Sequence, residues 1–421
     1  MGILQGLWNS IQNILSSSGF ASNDWKNYIM VGIACVLLYF AIAKQFEPLL
    51  LFPVAFGMLL VNVFPGIMAA PSSEMQPLMQ YMAAHPGAEV LYPIITMNGA
   101  EYVQVSQAGG LFYYLYQGVK FGIYPPLIFF CIGAMTDFGP LIANPKSLIL
   151  GAAAQLGVFL TFIGAVLIGN LGIPGLSFSL RQAGSIGMIG AANGSTAVFV
   201  ANRLAPEILG SIAVVTYFYI ALTPMIQPPI MRALTTEKER MIVMEQLRPV
   251  SKLEKILFPI IITILVALLL PDAAPLVGML MLGNLVRESG VAVRLPDTIQ
   301  NALMTILVVL LGVAVGATAT GKAFLNAQTL GVILLGLIAV CVGTAGGILF
   351  GKILCWVTQG KINPLIGSAG VSAVPVAARV SQKVGQEENP ANFLLAHAMG
   401  PNIAGIIYSA VVAGTFLSIL G

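Results

Sequence analysis

Long apolar runs alternate with short polar breaks along the chain. The runs cover residues 27–43, 49–69, 110–134, 147–169, 207–231, 256–270, 273–286, 302–319, 328–356 and 391–419. A membrane-crossing helix needs about 20 predominantly apolar residues. The pattern therefore predicts an all-α polytopic membrane protein with about ten transmembrane segments. Two stretches differ from these runs. Residues 184–203 and 363–381, beginning GSIGMIGAANGSTAVFVAN and NPLIGSAGVSAVPVAAR, are rich in Gly, Ala and Ser, with polar side chains among apolar ones. Set side by side, Ile189, Gly190, Ala192, Ser195 and Ala201 fall on Ile366, Gly367, Ala369, Ser372 and Ala378. Each stretch precedes a span with its own proline and amide interruption, Pro224-MIQPP in the first half and Gly400-PN in the second. Paired Gly- and Pro-broken segments in corresponding halves point to a transporter's midplane site. The competing reading is that small residues let helices approach closely.

Charge orients these elements. Residues 232–255 hold Arg232, Lys238, Arg240, Arg248, Lys252 and Lys255 against four Glu, so they are expected in the cytoplasm under the positive-inside rule. Residues 70–109 carry Glu74, Glu89 and Glu101 with no Lys or Arg, and are expected outside. Counting crossings between these two loops, the parity works if 184–203 enters and leaves on one side, as a re-entrant or broken hairpin. Irregular backbone survives at membrane depth only where it is buried in protein or lines a cavity. The expected organisation is an interfacial N-terminal segment 1–25, a first membrane repeat 26–231 with broken helix 184–203, the charged loop 232–255, and a second repeat 256–421 with broken helix 363–381.

Composition narrows the class. Of 421 residues 57% are hydrophobic and 8% charged, against about 25% charged in soluble domains, which excludes a soluble enzyme or nucleic-acid binder. A net charge of +3 is too small to argue for a polyanionic partner. Cys35, Cys131, Cys341 and Cys355 each lie in an apolar run without metal-type spacing, and are expected to be buried free thiols. There is no GxxxxGK[ST], no GxGxxG opening a helix, no Ser-His-Asp set, and no Met-Lys of the kind that carries biotin.

Ionisable and polar groups inside apolar segments are the candidate chemistry. Asp137, in Gly133-AMTDFGPLIANP, is either a capping carboxylate or a mechanistic one. Arg379 lies two helical turns after Ser372 and cannot lose its charge. It is expected to pair with a carboxylate, helix-end carbonyls or an anionic substrate. Asn363, Gly367 and Ser372 offer an amide, a close-approach backbone and a hydroxyl, which suits sodium; Asn193, Ser195 and Thr196 offer the same set in the first half. Interhelical hydrogen bonding by small polar residues is the structural alternative.

Asn363-PLIGSAGVSAVPVAARVSQKVG, Asn392-FLLAHAMGPNIAG, Gly133-AMTDFGPLIANP and Gln227-PPIMRALTTEKER together resemble the beta subunits of sodium-translocating decarboxylases, above all that of the oxaloacetate enzyme. The resemblance runs from about residue 110 to the C-terminus. It implies two inverted repeats with broken helices, arranged as scaffold and mobile core, in a homotrimer within the inner membrane of a bacterium. It also implies partners: a soluble biotinylated alpha subunit and a small gamma subunit. The beta subunit would decarboxylate carboxybiotin carried on that partner, consume a proton and export sodium ions. The missing Met-Lys agrees with biotin arriving on another chain. By motif, the sodium-site asparagine, glycine and serine fall on Asn363, Gly367 and Ser372, the family arginine on Arg379, and a Tyr-x-Tyr tyrosine on Tyr219. Arg379 would orient the carboxylate or stabilise helix-end carbonyls, and Tyr219 and Ser372 would pass the proton.

One motif departs. Where the family reads GADGPT, this chain reads Gly190-AANGST, with Asn193 at the ion-binding aspartate and Ser195 at the proline. Asn ligates but neither carries charge nor takes up a proton, so altered sodium coupling is expected, through natural variation or deliberate neutralisation. The rival reading from another class is a secondary sodium-coupled carrier of small carboxylates that needs no biotinylated partner.

Overall fold

The structure is a computed structural model that describes residues 24–45, 48–84, 92–97, 100–173 and 175–421, together with Trp8, Ile11, Gln12 and Val90. The expected interfacial segment 1–25 lies almost wholly outside the described residues. The principal helices are α1 (Trp25–Ala43), α2 (Pro48–Val63), α3 (Leu111–Lys120), α4 (Tyr124–Met135), α5 (Ser147–Ala154), α6 (Leu156–Asn170), α7 (Leu180–Gly187), α8 (Gly194–Leu204), α9 (Leu209–Leu234), α10 (Lys252–Leu269), α11 (Ala274–Ser289), α12 (Met304–Gly316), α13 (Ala327–Val357), α14 (Val376–Glu388) and α15 (Leu395–Leu420). Among the described residues, six helices or merged helix pairs are long and apolar enough to cross a membrane. The pair α3 and α4 makes a seventh if its 69° bend is one broken span, and α2 is a shorter apolar helix. The chain is an all-α membrane protein. The runs 256–270 and 273–286 form α10 and α11, whose lengths include polar ends: α10 opens on a Ser251–Glu254 capping box, with Lys252 and Lys255 in its first turn.

The helices sort into two bundles. Helices α1 to α4 pack with α10 to α12, and α5 to α9 pack with α13 to α15. Between α2 and α3 the polar stretch expected outside the membrane folds into a small antiparallel sheet. It comprises β1 (Ser72–Pro77), β2 (Ile94–Met97) and β3 (Ala100–Gln107), with β3 central. In β3, Val103 is buried at the sheet's packed face, while Glu101 and Gln107 are exposed. The strand lacks a period-2 burial pattern and sits in a stretch too polar to stand out beside the apolar runs.

Both small-residue stretches break, and the first does so as the hairpin that the charge parity asked for. Helix α7 runs into a 3-10 turn, Met188–Ala191, Ala192 turns left-handed (φ 49°, ψ 42°), and α8 leads back. The two arms begin and end together, since Gln182 Nε2 donates to Glu207 Oε1 at 2.8 Å. The second stretch enters as a long 3-10 helix, Pro364–Gly370, and returns as α14. Its ends also meet, with Asn363 and Asn392 both donating to Arg240 O. The two hairpins enter from opposite faces. The mouth of the first lies by the end of α15, where Arg181 donates to Leu420 O and Gly421 O. The mouth of the second is tied to 232–255 by ion pairs Arg240–Glu388 and Arg232–Glu387. Residues 183–201 and 362–373 are buried without exception, which is the condition under which broken backbone tolerates a membrane interior. All four cysteines are free, but Cys35 is exposed on α1 and Cys341 half-buried, because helix runs in lipid turn apolar side chains outward as well as inward.

Gly367 has a packing role that its composition does not reveal. A Cβ there would fall 2.0 Å from Gly347 O, and one on Gly347 would fall 2.1 Å from Gly367 O, so the hairpin lies backbone to backbone on α13. Gly367→Val is expected to cost about 1–3 kcal/mol through overpacking. Thermal unfolding in detergent checks this, and the drop in Tm should be the same with and without sodium.

Candidate functional site

The two hairpins meet at their breaks. Ser372 N–H donates to Ala191 O at 3.0 Å, so the bend of one hairpin is hydrogen-bonded to the bend of the other. A left-handed non-glycine residue costs about 1–2 kcal/mol. Ala192 is held there because Asn193 immediately starts the next helix as its N-cap: Asn193 Oδ1 accepts from Thr196 N at 3.3 Å. The Asn193 amide also donates to Ser409 Oγ at 3.3 Å, and that hydroxyl donates on to Ile406 O at 2.8 Å. Two amides from the long helices satisfy the unwound carbonyls of the second hairpin. Asn402 Nδ2 donates to Ala369 O and Val371 O, and Gln227 Nε2 donates to Ser368 O. These are the amides of the Pro-amide interruptions. The prolines themselves, Pro224, Pro228 and Pro401, sit inside α9 and α15, which the helix boundaries carry unbroken.

A cavity of about 470 Å³ opens beside this crossing, between the two bundles. The second bundle contributes Asn193, Ser195, Tyr217 and Ser372; the first contributes Thr136 and, at a π-helical turn leading into α12, Gln300 and Asn301. The rest of the lining is mostly apolar. No Asp, Glu, Lys, Arg or His occurs among the described residues that line it. Ser372 Oγ is buried without a hydrogen-bond partner. The Tyr217 hydroxyl lies within electrostatic reach of Ser195 but makes no hydrogen bond of adequate geometry. A buried unpartnered hydroxyl costs about 1–3 kcal/mol, so these oxygens have donor capacity left for a ligand. Hard neutral oxygens fit a monovalent cation, and among the described residues no cluster of three His, Cys, Asp or Glu could hold a different metal.

The expected site residues divide. Asn193 and Ser372 line the cavity. Asn363 is used elsewhere: its amide donates to Arg240 O at 3.0 Å and Ile242 O at 2.9 Å, while its Oδ1 accepts from Leu365 N at 3.0 Å. It clamps the charged loop onto the mouth of the second hairpin. Gly367 lies against α13, and Tyr219 donates to Ile333 O at 2.8 Å, facing α13 also. Residues two apart on a helix point to different sides, so it is Tyr217 of the same Tyr-x-Tyr segment that faces the cavity. Arg379 is exposed rather than buried and lines a separate cleft of about 320 Å³ with Gln382, Lys383, Gln386, Leu395 and Glu387, the last of which pairs with Arg232. Among the described residues its guanidinium takes no carboxylate or carbonyl partner. Asp137 resolves toward capping. Its Oδ1 accepts from Gly139 N at 2.9 Å and from Lys255 Nζ at 2.8 Å. Burial raises its pKa, but the Lys255 hydrogen bond, the Gly139 amide and nearby Arg287 outweigh burial and hold it below the usual value.

The fold and site define a class, a multi-pass membrane protein with paired broken hairpins beside a cavity whose described lining carries no formal charge. Comparison with known proteins makes it specific. The family described as the Na+-transporting oxaloacetate decarboxylase beta subunit matches residues 26–420. The chain is similar to the methylmalonyl-CoA decarboxylase subunit beta of Propionigenium modestum, 55% identical over 98% of this chain and 99% of the relative. It is 51% identical to the oxaloacetate decarboxylase beta chain of Klebsiella pneumoniae, over 97% and 98%. It is 48% identical to the glutaconyl-CoA decarboxylase subunit beta of Acidaminococcus fermentans, over 98% of each. The chain belongs to the beta-subunit family of Na+-transporting decarboxylases.

Two tests follow from the geometry. Asn363→Ala removes the only side-chain donor to Ile242 O among the described residues and leaves Arg240 held by Asn392 and by its ion pair with Glu388, so limited proteolysis within 236–250 should accelerate several-fold; a residue acting only as an ion ligand would leave the cleavage rate unchanged. Asp137 has a lowered folded pKa, so its contribution to stability is complete above about pH 4 and is lost as pH falls through the lower folded value. Unfolding measured from pH 6 to 2 should show a smaller loss in Asp137→Asn than in the parent chain, the remainder coming from Glu254 and Glu239, whose pKa values are also lowered.

Proposed function

We propose that this chain is the membrane subunit that decarboxylates carboxybiotin and couples the reaction to sodium export, with consumption of a proton. The observation that carries this reading is the crossing of two oppositely inserted hairpins beside a cavity with unpartnered oxygens. The cavity lies between bundles that correspond to the expected scaffold and mobile core. Biotin reaches it on a soluble alpha subunit, with a small gamma subunit joining the parts of a complex built on a beta trimer in a bacterial inner membrane. Relatives named for methylmalonyl-CoA and glutaconyl-CoA match as well as those named for oxaloacetate. The motifs thus speak for the step shared by all three, and oxaloacetate stays the proposed acid only through the resemblance of the long motifs.

Within the site, Asn193 and Ser372 supply sodium ligands, and Asn363 and Gly367 set the hairpin that carries Ser372. Arg379, exposed with Lys383 on the face that holds 232–255, draws in and orients the incoming carboxylate. Ser372 and the Tyr-x-Tyr segment pass the proton, with Tyr217 nearer the cavity and Tyr219 holding the segment on α13. Moving a carboxylate out of water favours loss of CO2, because the anion gives up its hydration while the products carry less charge.

The test is carboxybiotin-dependent radiosodium uptake into proteoliposomes containing the whole complex. Uptake is expected with the parent chain, a fall of about 10- to 100-fold with Arg379→Ala, and a higher sodium affinity with Asn193→Asp. Uptake of labelled small carboxylates by the chain alone, without a biotinylated partner, would instead establish the carrier reading.

A further inference from the structure

The cavity between the bundles has no formal charge among its described lining residues, yet it is strongly dipolar. Asn193, Gly194 and Ser195 bring the first turn of α8 to its wall, and Val374, Pro375 and Val376 bring the start of α14. The first amides of a helix have no intrahelical partner, and the helix dipole adds roughly half a positive charge at that end. Two such ends favour an anion and oppose a bare cation. The same wall nevertheless holds Ser372 Oγ and Tyr217 Oη, on residues 5% and 2% exposed, with no partner. Asn193 lines the same wall, its side-chain oxygen accepting from Thr196 N with a lone pair to spare. These are ligands for a sodium ion that lack the negative charge needed to hold one out of water.

We propose that the substrate's own carboxylate is a sodium ligand in this chain. It lies against the two helix N-termini, supplies the negative charge that the lining side chains lack, and shares the cavity with the ion. This inference rests on the reading of the chain as a carboxybiotin decarboxylase and adds the order of dependence: sodium binds well only with the carboxylate present. It also couples chemistry to release. When the N–C bond breaks, its electron pair stays on the ureido nitrogen, which takes a proton from the aqueous phase, and CO2 leaves uncharged. The anionic ligand no longer exists, and the cation is left facing two positive helix ends.

The experiment is equilibrium binding of radiosodium to the full chain in lipid nanodiscs, with free N-carboxybiotin, with biotin, or with neither. Carboxybiotin is expected to raise sodium affinity at least ~10-fold, while biotin, which lacks the carboxylate, leaves it unchanged. Because coupling is reciprocal, carboxybiotin should bind tighter by the same factor in sodium chloride than in choline chloride, a measurement on the unaltered chain. Asn193→Asp carries its own charge and should bind sodium without carboxybiotin, with the enhancement reduced to about threefold or less. Equal sodium affinity in all three conditions, while carboxybiotin still binds, overturns this inference and leaves the proposed function standing. Failure of carboxybiotin to bind at any sodium concentration overturns both.

Discussion

Broken backbone at the depth of a membrane must find every hydrogen-bond partner inside the protein, and the rest of this structure is arranged around that demand. Leaving a helix frees carbonyls and amides that lipid cannot satisfy. Here the demand is met by a few contacts of long sequence separation. The bends hold each other through Ser372 N–H and Ala191 O, and Asn402 and Gln227 donate to the carbonyls of the second bend. Remove these donors and the hairpins have no reason to stop at mid-depth.

The same arrangement produces the site. Once two half-helices end at one point, their polar termini, a strained Ala192 and an N-capping Asn193 are concentrated where the bundles meet. Hydroxyls that cannot all be paired, Ser372 and Tyr217, are the residue of that geometry. A cavity walled by one bundle's apolar and amide side chains and the other bundle's broken backbone changes shape whenever the bundles shift.

Much of the fold was legible in the linear pattern. The apolar runs foretold the helices, and the charge parity between 70–109 and 232–255 foretold a hairpin at 184–203 that enters and leaves on one side. The small β-sheet was not legible, because its strands lie in a polar loop, are mostly exposed and do not alternate apolar with polar residues. Site residues were legible by type and less so by location. Asn193 and Ser372, picked out as polar groups inside apolar segments, line the cavity. Tyr217 was passed over for Tyr219, although both lie on one helix two residues apart. Arg379 was read among the ionisable groups of an apolar segment and is exposed, since it lies with Lys383 and Glu387 on the outer face of an amphipathic helix whose other face, Ala377, Ala378, Val380, Ser381 and Val384, is buried.

What the sequence determined by itself was everything that depends on periodicity and solvation: a membrane protein, its helices, its two broken stretches and its family motifs. These follow from local composition, because transfer free energy and backbone breaking act residue by residue. Tertiary structure alone decided which polar groups share a cavity and which serve the scaffold. Asn363 and Asn193 are the same residue type in matching stretches. Yet one is spent on the carbonyls of Arg240 and Ile242, while the other caps a helix at the wall of the site. That division depends on contacts between segments more than a hundred residues apart, and no local pattern encodes the direction in which a side chain finds its partner.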